Sequence, residues 1–278
     1  MIRIVADTST LYSTKQAKDA GFDVSPLSVT INNKTYREFD EISAEEFVDI
    51  IRQGYLPVSS QPAIGEVSAL YEQYRDDEII NLALADGLSG AYRGALAAAG
   101  LVENSARITV INTRTLCGPH RYLVELAVKM VRENYTAQQI VETMQEKMDT
   151  AKSFLMPADY DYLRRGGRLS PLVSYVGQAA KLTPIMTQTE DGCRLAVAGV
   201  RRGISHAFQF VEKALQKHGV GTGWRIYITH AGVPQLAQKA VEMLKAAFPD
   251  CVFEVYPLSP AFITQGGPGC ISVQVIKE

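Results

Sequence analysis

The chain of 278 residues contains no apolar run of bilayer length, no long block of like charge and no Cys/His pair at metal-ligand spacing. The first absence argues against a membrane-spanning protein. Residues 1–10, MIRIVADTST, run straight into a strand without a basic leader or an apolar signal core, so a cytoplasmic location is expected. The second absence, with 28 Lys and Arg against 30 Asp and Glu, leaves no global field to attract nucleic acid. The third concerns the scattered Cys117, Cys193, Cys251 and Cys270, which read as reduced thiols; no metal or other cofactor is expected. Phosphate loops are missing too, since neither GxxxxGK[ST] nor GxGxxG after a strand occurs. Histidine is scarce, and none of His120, His206, His218 and His230 sits in a nucleophile-elbow or metal-ligand pattern. With 46% apolar residues the chain can still bury a full core, enough for one large or two medium domains.

What is present is organised around residues 78–100, EIINLALADGLSGAYRGALAAAG. The apolar run 79–85 has strand length and stops at Asp86-Gly87; Ser89 then opens a helix whose inner face is Ala, Gly and Leu. At such a junction the first helical turn leaves backbone N–H groups unpaired and partly positive, a place for a small anion. Gly87 and Gly90 let the main chain approach a ligand, and the Ser89 hydroxyl either caps its own helix or bonds an incoming oxyanion.

Along the chain, strands are expected at residues 2–6, 23–29 and 30–36, the last two turning about Asn32-Asn33. Ser43 with Glu46 forms a capping box for a helix to about Gly54, residues 56–63 read as an ordered loop, and residues 63–74 as a helix. Strand 107–112 and helices 117–132 and 136–149 complete an alternating pattern that marks a parallel sheet covered on both faces. From Ser153 the style changes. A short strand 153–156, a helical turn 159–163, a basic glycine turn 164–168 and a helix 171–181 precede a hairpin of 184–189 and 193–198. Helix 204–217, strand 225–230, helix 234–247, strand 251–256 and a last strand 271–276 form a second α/β unit. The expected division is 1–155 and 156–278.

Four hydroxyl- or glycine-rich loops, 7–10, 57–63, 86–92 and 264–269, follow strands or open helices, so in a sheet they can meet on one rim. His230 at its strand end reads as structural or capping. Cys117 at a helix start reads as a buried small hydrophobe, with an acidified thiol as the alternative. The turn Arg164 to Arg168 could hold phosphate or be a solvated turn, and it lacks interleaved aromatics for nucleic acid.

Six short stretches occur in a fixed order: Asp7-Thr8-Ser9; Ser59-Ser60-Gln61-Pro62-Ala63; Leu88-Ser89-Gly90-Ala91-Tyr92; Asn112-Thr113; Arg165-Gly166-Gly167-Arg168-Leu169; and Thr264-Gln265-Gly266-Gly267-Pro268-Gly269. Together they resemble the D-S-T, T-S-Q-P-S, L-S-G-T-Y, aspartate–serine, K-G-G-R-I and T-H-T-G-P-G motifs of the DegV family of bacterial fatty-acid-binding proteins. The resemblance implies two α/β domains, one with a mostly parallel Rossmann-like sheet, and an apolar tunnel between them that buries one long acyl chain. It further implies that Ser59 and Ser89 hold the carboxylate, with Ser60, Gly90 and Gly266 beside them. Gln265 stands where the family has histidine, a donor that cannot charge; Ala63 and Asn112 are further departures. The family presents its acid to a separate fatty acid kinase, and Arg201 matches a basic residue that aids this partnership. No catalytic residue is then expected in this chain, which holds nothing to bind nucleotide and metal. The competing reading is a small-molecule hydrolase or transferase using Ser89 or Cys117, which would need a paired base. Its amphipathic helices all have a sheet to cover, so a monomer is expected.

Overall fold

The computed structural model describes residues 1–170 and 182–278; the helix expected over 171–181 lies outside the described residues. β1 (Ile2–Asp7) leads through a 3-10 turn, Thr8–Thr10, to α1 (Thr14–Ala20), and β2 (Asp23–Ser25) returns parallel to β1. The strand expected over 23–29 is in fact two. Pro26 interrupts it, and β3 (Ser28–Ile31) leaves the first sheet to pair with β4 (Lys34–Arg37). Asn32 and Asn33 both have positive φ, the conformation that the tight hairpin requires.

The capping box of Ser43 and Glu46 starts α2 (Ala44–Arg52). Within the expected loop 56–63 there is a strand, β5 (Val58–Ser60), paired antiparallel with β3 in a separate three-stranded sheet. Proline-flanked hydroxyls gave no alternation to signal it. α3 (Ile64–Gln73), β6 (Glu78–Ala83), α4 (Ala91–Ala99), β7 (Ile108–Asn112), α5 (Cys117–Arg132) and α6 (Ala137–Met148) then follow. The first sheet has the order β2-β1-β6-β7, all parallel. Val5, Ile79, Tyr71 and Ala98 fill one side under α3 and α4, while Ile4, Ala6, Ile80 and Leu82 meet α5 and α6 on the other. Alternating residues of each strand thus face opposite helical layers.

The second unit opens with β8 (Lys152–Met156), α7 (Tyr160–Gly166), β9 (Leu182–Gln188), β10 (Leu195–Arg202) and α8 (Ile204–Lys217). It continues with β11 (Trp224–His230), α9 (Pro234–Ala247), β12 (Val252–Pro257), α10 (Pro260–Gly266) and β13 (Ile271–Lys277). Its six-stranded sheet has the order β10-β9-β8-β13-β11-β12, antiparallel except for β11 with β12. The chain enters this sheet at Lys152, so β8 lies wholly within it. α10 is an element that the glycine-rich look of 264–269 concealed. Ser259 accepts the Phe262 N–H at its start, and Thr264 and Gln265 are helical.

One face of the second sheet, with Phe154, Ile185, Val273 and Ile226, packs under α8 and α9. The other face turns toward the first unit. Glu38, just after β4, is completely buried at this junction: Thr8 Oγ1 donates to it from the first unit, and the Ala261 N–H donates across at 2.9 Å. Burial raises its pKa to about 7 against the opposing pull of these donors. No helix among the described residues is long and apolar enough to cross a membrane.

Candidate ligand cavity

The inward face of the second sheet carries Ser153 and Leu155 on β8, Met186 and Gln188 on β9, and Ser272 and Gln274 on β13. Opposite it stand Leu84, Leu88, Leu116 and Cys117, from the carboxyl ends of β6 and β7 and the turns that follow. Between them lies a cavity of about 100 Å³, counted as the space open to the centre of a water-sized sphere, with a mainly apolar lining. Phe262 on α10 and Leu163 on α7 add apolar wall near the end where β8 and β13 meet those helices.

That near end carries Gln265 and the one charged residue of the lining among the described residues, Arg168. Gln265 Nε2 donates to Ser59 Oγ at 3.0 Å, which leaves the Ser59 hydroxyl proton free for a further acceptor. Gln265 Oε1 is buried without a partner among the described residues. It lies against Gly166, where a Cβ would stand 2.0 Å from that oxygen, so only glycine admits the carboxamide there. Arg168 lines both the cavity and an adjoining cleft that holds Ser59, Tyr162 and Arg165. Its Nε donates to Leu88 O at 3.1 Å and its Nη1 to Gly166 O. Burial, and then the like charge of Arg194, pull its pKa down, and among the described residues no carboxylate pairs with it. A half-buried cation without a counter-ion suits an anionic head group. The glycine turn hinted at this residue, but a solvated turn has the same composition.

Three of the four loops expected to meet do so through specific contacts. Loop 57–63 touches α10 through Ser59 and Gln265, and it reaches α4 through the Gln61 carboxamide, which occupies the space a Cβ on Gly90 would fill. Loop 7–10 is held to the end of β6 instead, where Asp7 accepts the Leu84 N–H at 2.9 Å, and none of its residues lines the cavity. Of the two roles expected of Ser89, capping its helix or bonding an oxyanion, the first falls to its neighbour. Gly90 is the N-cap of α4, and Ser89 Oγ instead accepts the Ala91 N–H at 3.2 Å. Ser60 is exposed on β5, and Gly266 lines the cavity. Arg201 is exposed on β10, stacked over the Phe210 ring at 4.4 Å, away from the cavity lining.

Of the two groups named for nucleophilic chemistry, Ser89 and Cys117, the cysteine stands in unsuitable surroundings. Cys117 is buried, and burial first, then Glu38, pushes its thiol well up, away from the thiolate. His230 accepts the Val233 N–H and so caps its turn. Sequence reading missed a buried pair, Ser9 Oγ with His120 Nδ1 at 2.6 Å; its partners lie 111 residues apart. His120 Nε2 faces Leu82 O at 2.9 Å, and Asp7 accepts from backbone N–H groups rather than from the imidazole. These groups are wholly buried, with His120 held neutral chiefly by desolvation, and they tie α5 to β1 and β6.

The family model described as "Uncharacterised protein, DegV family" matches residues 1–278. The chain belongs to the DegV family. A DegV domain-containing protein of Staphylococcus aureus is 29% identical over 99% of this chain and 98% of its own length. One from Listeria monocytogenes is 27% identical over 98% and 97%. Among solved structures, DegV of Bacillus subtilis, described as a fatty acid binding protein, is 25% identical with a TM-score of 0.88 over 100% of this chain and 99% of that one. A DegV family protein from Eubacterium eligens, loaded with heptadecanoic acid, is 21% identical with a TM-score of 0.86 over the whole of both chains. The two-unit α/β architecture is thus the DegV fold.

Proposed function

We propose that this protein binds one long-chain fatty acid, its chain in the cavity and its carboxylate at the Gln265 end, and presents the acid to a separate kinase that phosphorylates the carboxylate. The observation that carries the reading is a mainly apolar cavity whose one charged lining residue among the described residues, Arg168, stands with Gln265 at one end. Among the described residues no carboxylate pairs with Arg168 there and no acceptor takes the Ser59 hydroxyl proton. Membership of the DegV family and the fatty-acid-binding description of the Bacillus subtilis protein support it. In this reading Ser59 donates directly to the carboxylate, Arg168 balances its charge and Ser89 adds a second hydroxyl from the start of α4.

Titration with a fluorescent fatty acid tests the head-group assignment. Ser59→Ala should weaken binding by roughly 1.5–3 kcal/mol, about ten- to a hundredfold, because a buried carboxylate loses a donor that water cannot replace. Ser89→Ala should do the same if its hydroxyl leaves Ala91 for the ligand; unchanged affinity would confine it to the turn. Gln265→His should tighten binding below neutral pH, where an imidazolium forms beside the carboxylate. Wild-type affinity in Ser59→Ala would remove the carboxylate from this end.

Arg201 is proposed as the contact for the kinase. Arg201→Ala should leave acid binding intact and slow phosphorylation of the bound acid, since one charge-assisted interface contact is worth roughly 1–3 kcal/mol. Equal loss of binding and phosphorylation would place Arg201 in the fold instead.

A further inference from the structure

The far end of the cavity is closed by an amide rather than by hydrocarbon. Gln274 pairs with Ser153 across β13 and β8, three residues along each strand from the Ile271 and Met156 pair that adjoins the α10 end. Its side chain lines the cavity, and both N–H donors and one lone pair of the amide oxygen are engaged. Nε2 donates to Leu116 O at 3.0 Å and to Ser153 Oγ at 3.1 Å, and Oε1 accepts the Gly118 N–H at 3.3 Å. The last bond supplies a partner to the first turn of α5, whose N-cap residue, Leu116, offers no side-chain cap. Gln188 stands alongside, its Nε2 donating to Arg114 O at 3.0 Å. One residue beyond Ser153, Lys152 lines an open polar cleft with Arg114, Asp149 and His218, and this cleft shares Ser153, Thr187 and Gln188 with the cavity wall. The apolar space therefore stops at Ser153, Gln188 and Gln274.

We propose that Gln274 is the stop that sets the longest acyl chain the cavity accepts; the inference rests on the fatty-acid reading above. A wall of Leu or Met yields by changing rotamer, but Gln274 cannot swing aside without leaving buried amide and backbone groups unpaired. An acyl terminus reaching this point meets a fixed surface. Chains up to the stop gain apolar contact with each added methylene, and longer ones must fold back or expel the amide.

The test is a competition titration of wild type, Gln274→Ala and Ser153→Val with straight-chain saturated acids that lengthen two carbons at a time. Wild type should bind progressively tighter up to a best length and then lose roughly tenfold at the next step. Gln274→Ala opens the end and should move the best length up by about two methylenes. Ser153→Val fills the same end and should move it down, which keeps the proposal testable if Gln274→Ala does not fold. Wild-type length profiles in both variants would overturn the stop while leaving the binding function in place. A wild-type protein that takes up no acid of any length would overturn both.

Discussion

Gly118→Ala is expected to destabilise the protein by about 3 kcal/mol or more, or to prevent folded protein from accumulating. A Cβ on Gly118 would stand 2.1 Å from Cγ of the fully buried Tyr227 ring, and that ring is held between α5 and the second sheet. The contact packs α5 against β11, and beside it the Gly118 N–H reaches Gln274. Thermal unfolding should show a midpoint lowered by roughly 6–12 °C. Gly65→Ala is the matched control: no atom lies within 4 Å of its Cβ position and it sits on α3, so alanine there should be neutral or slightly stabilising. Equal midpoints for the two variants would mean that the units are not closely docked through Gly118.

The second large effect is expected from Arg168→Met. Methionine keeps much of the apolar stem, but removes the cation that bridges Leu88 O and Gly166 O at the mouth. A carboxylate held there would lose its charge partner, and acid affinity should fall about ten- to a hundredfold. A fatty alcohol of the same chain length, which carries no charge, should lose far less. Binding of the acid should also weaken with added salt in wild type more than in the variant. Parallel losses for acid and alcohol would show that Arg168 shapes the mouth without meeting the head group.

How far the sequence foretold this arrangement depends on the kind of signal each part carries. β1, β6 and β7 are apolar runs bounded by turn residues, and α2, with its Ser43–Glu46 box, follows from local chemistry alone. β5 did not, because Val58-Ser59-Ser60 is too short and too polar to show a period and is a strand only by pairing with β3. α10 was hidden by the glycines after it. At the site, the order of short motifs pointed to Ser59, Gln265 and Gly266, and the structure brings Ser59 and Gln265 into contact. Arg168 and Gln274 acquire their positions from long-range packing: one lies beside Leu88, and the other reaches 156 residues back to Gly118. Ser89 shows the opposite failure, a plausible cap by local rule that is displaced by one residue because Gly90 takes the position.

The most direct measurement is organic extraction of the purified protein followed by mass spectrometry of the extract, with the amount of acid compared with the amount of protein. The account predicts long-chain fatty acid at about one per chain. Absent or sub-stoichiometric lipid, together with esterase turnover that Ser89→Ala abolishes, would contradict it and favour a hydrolase.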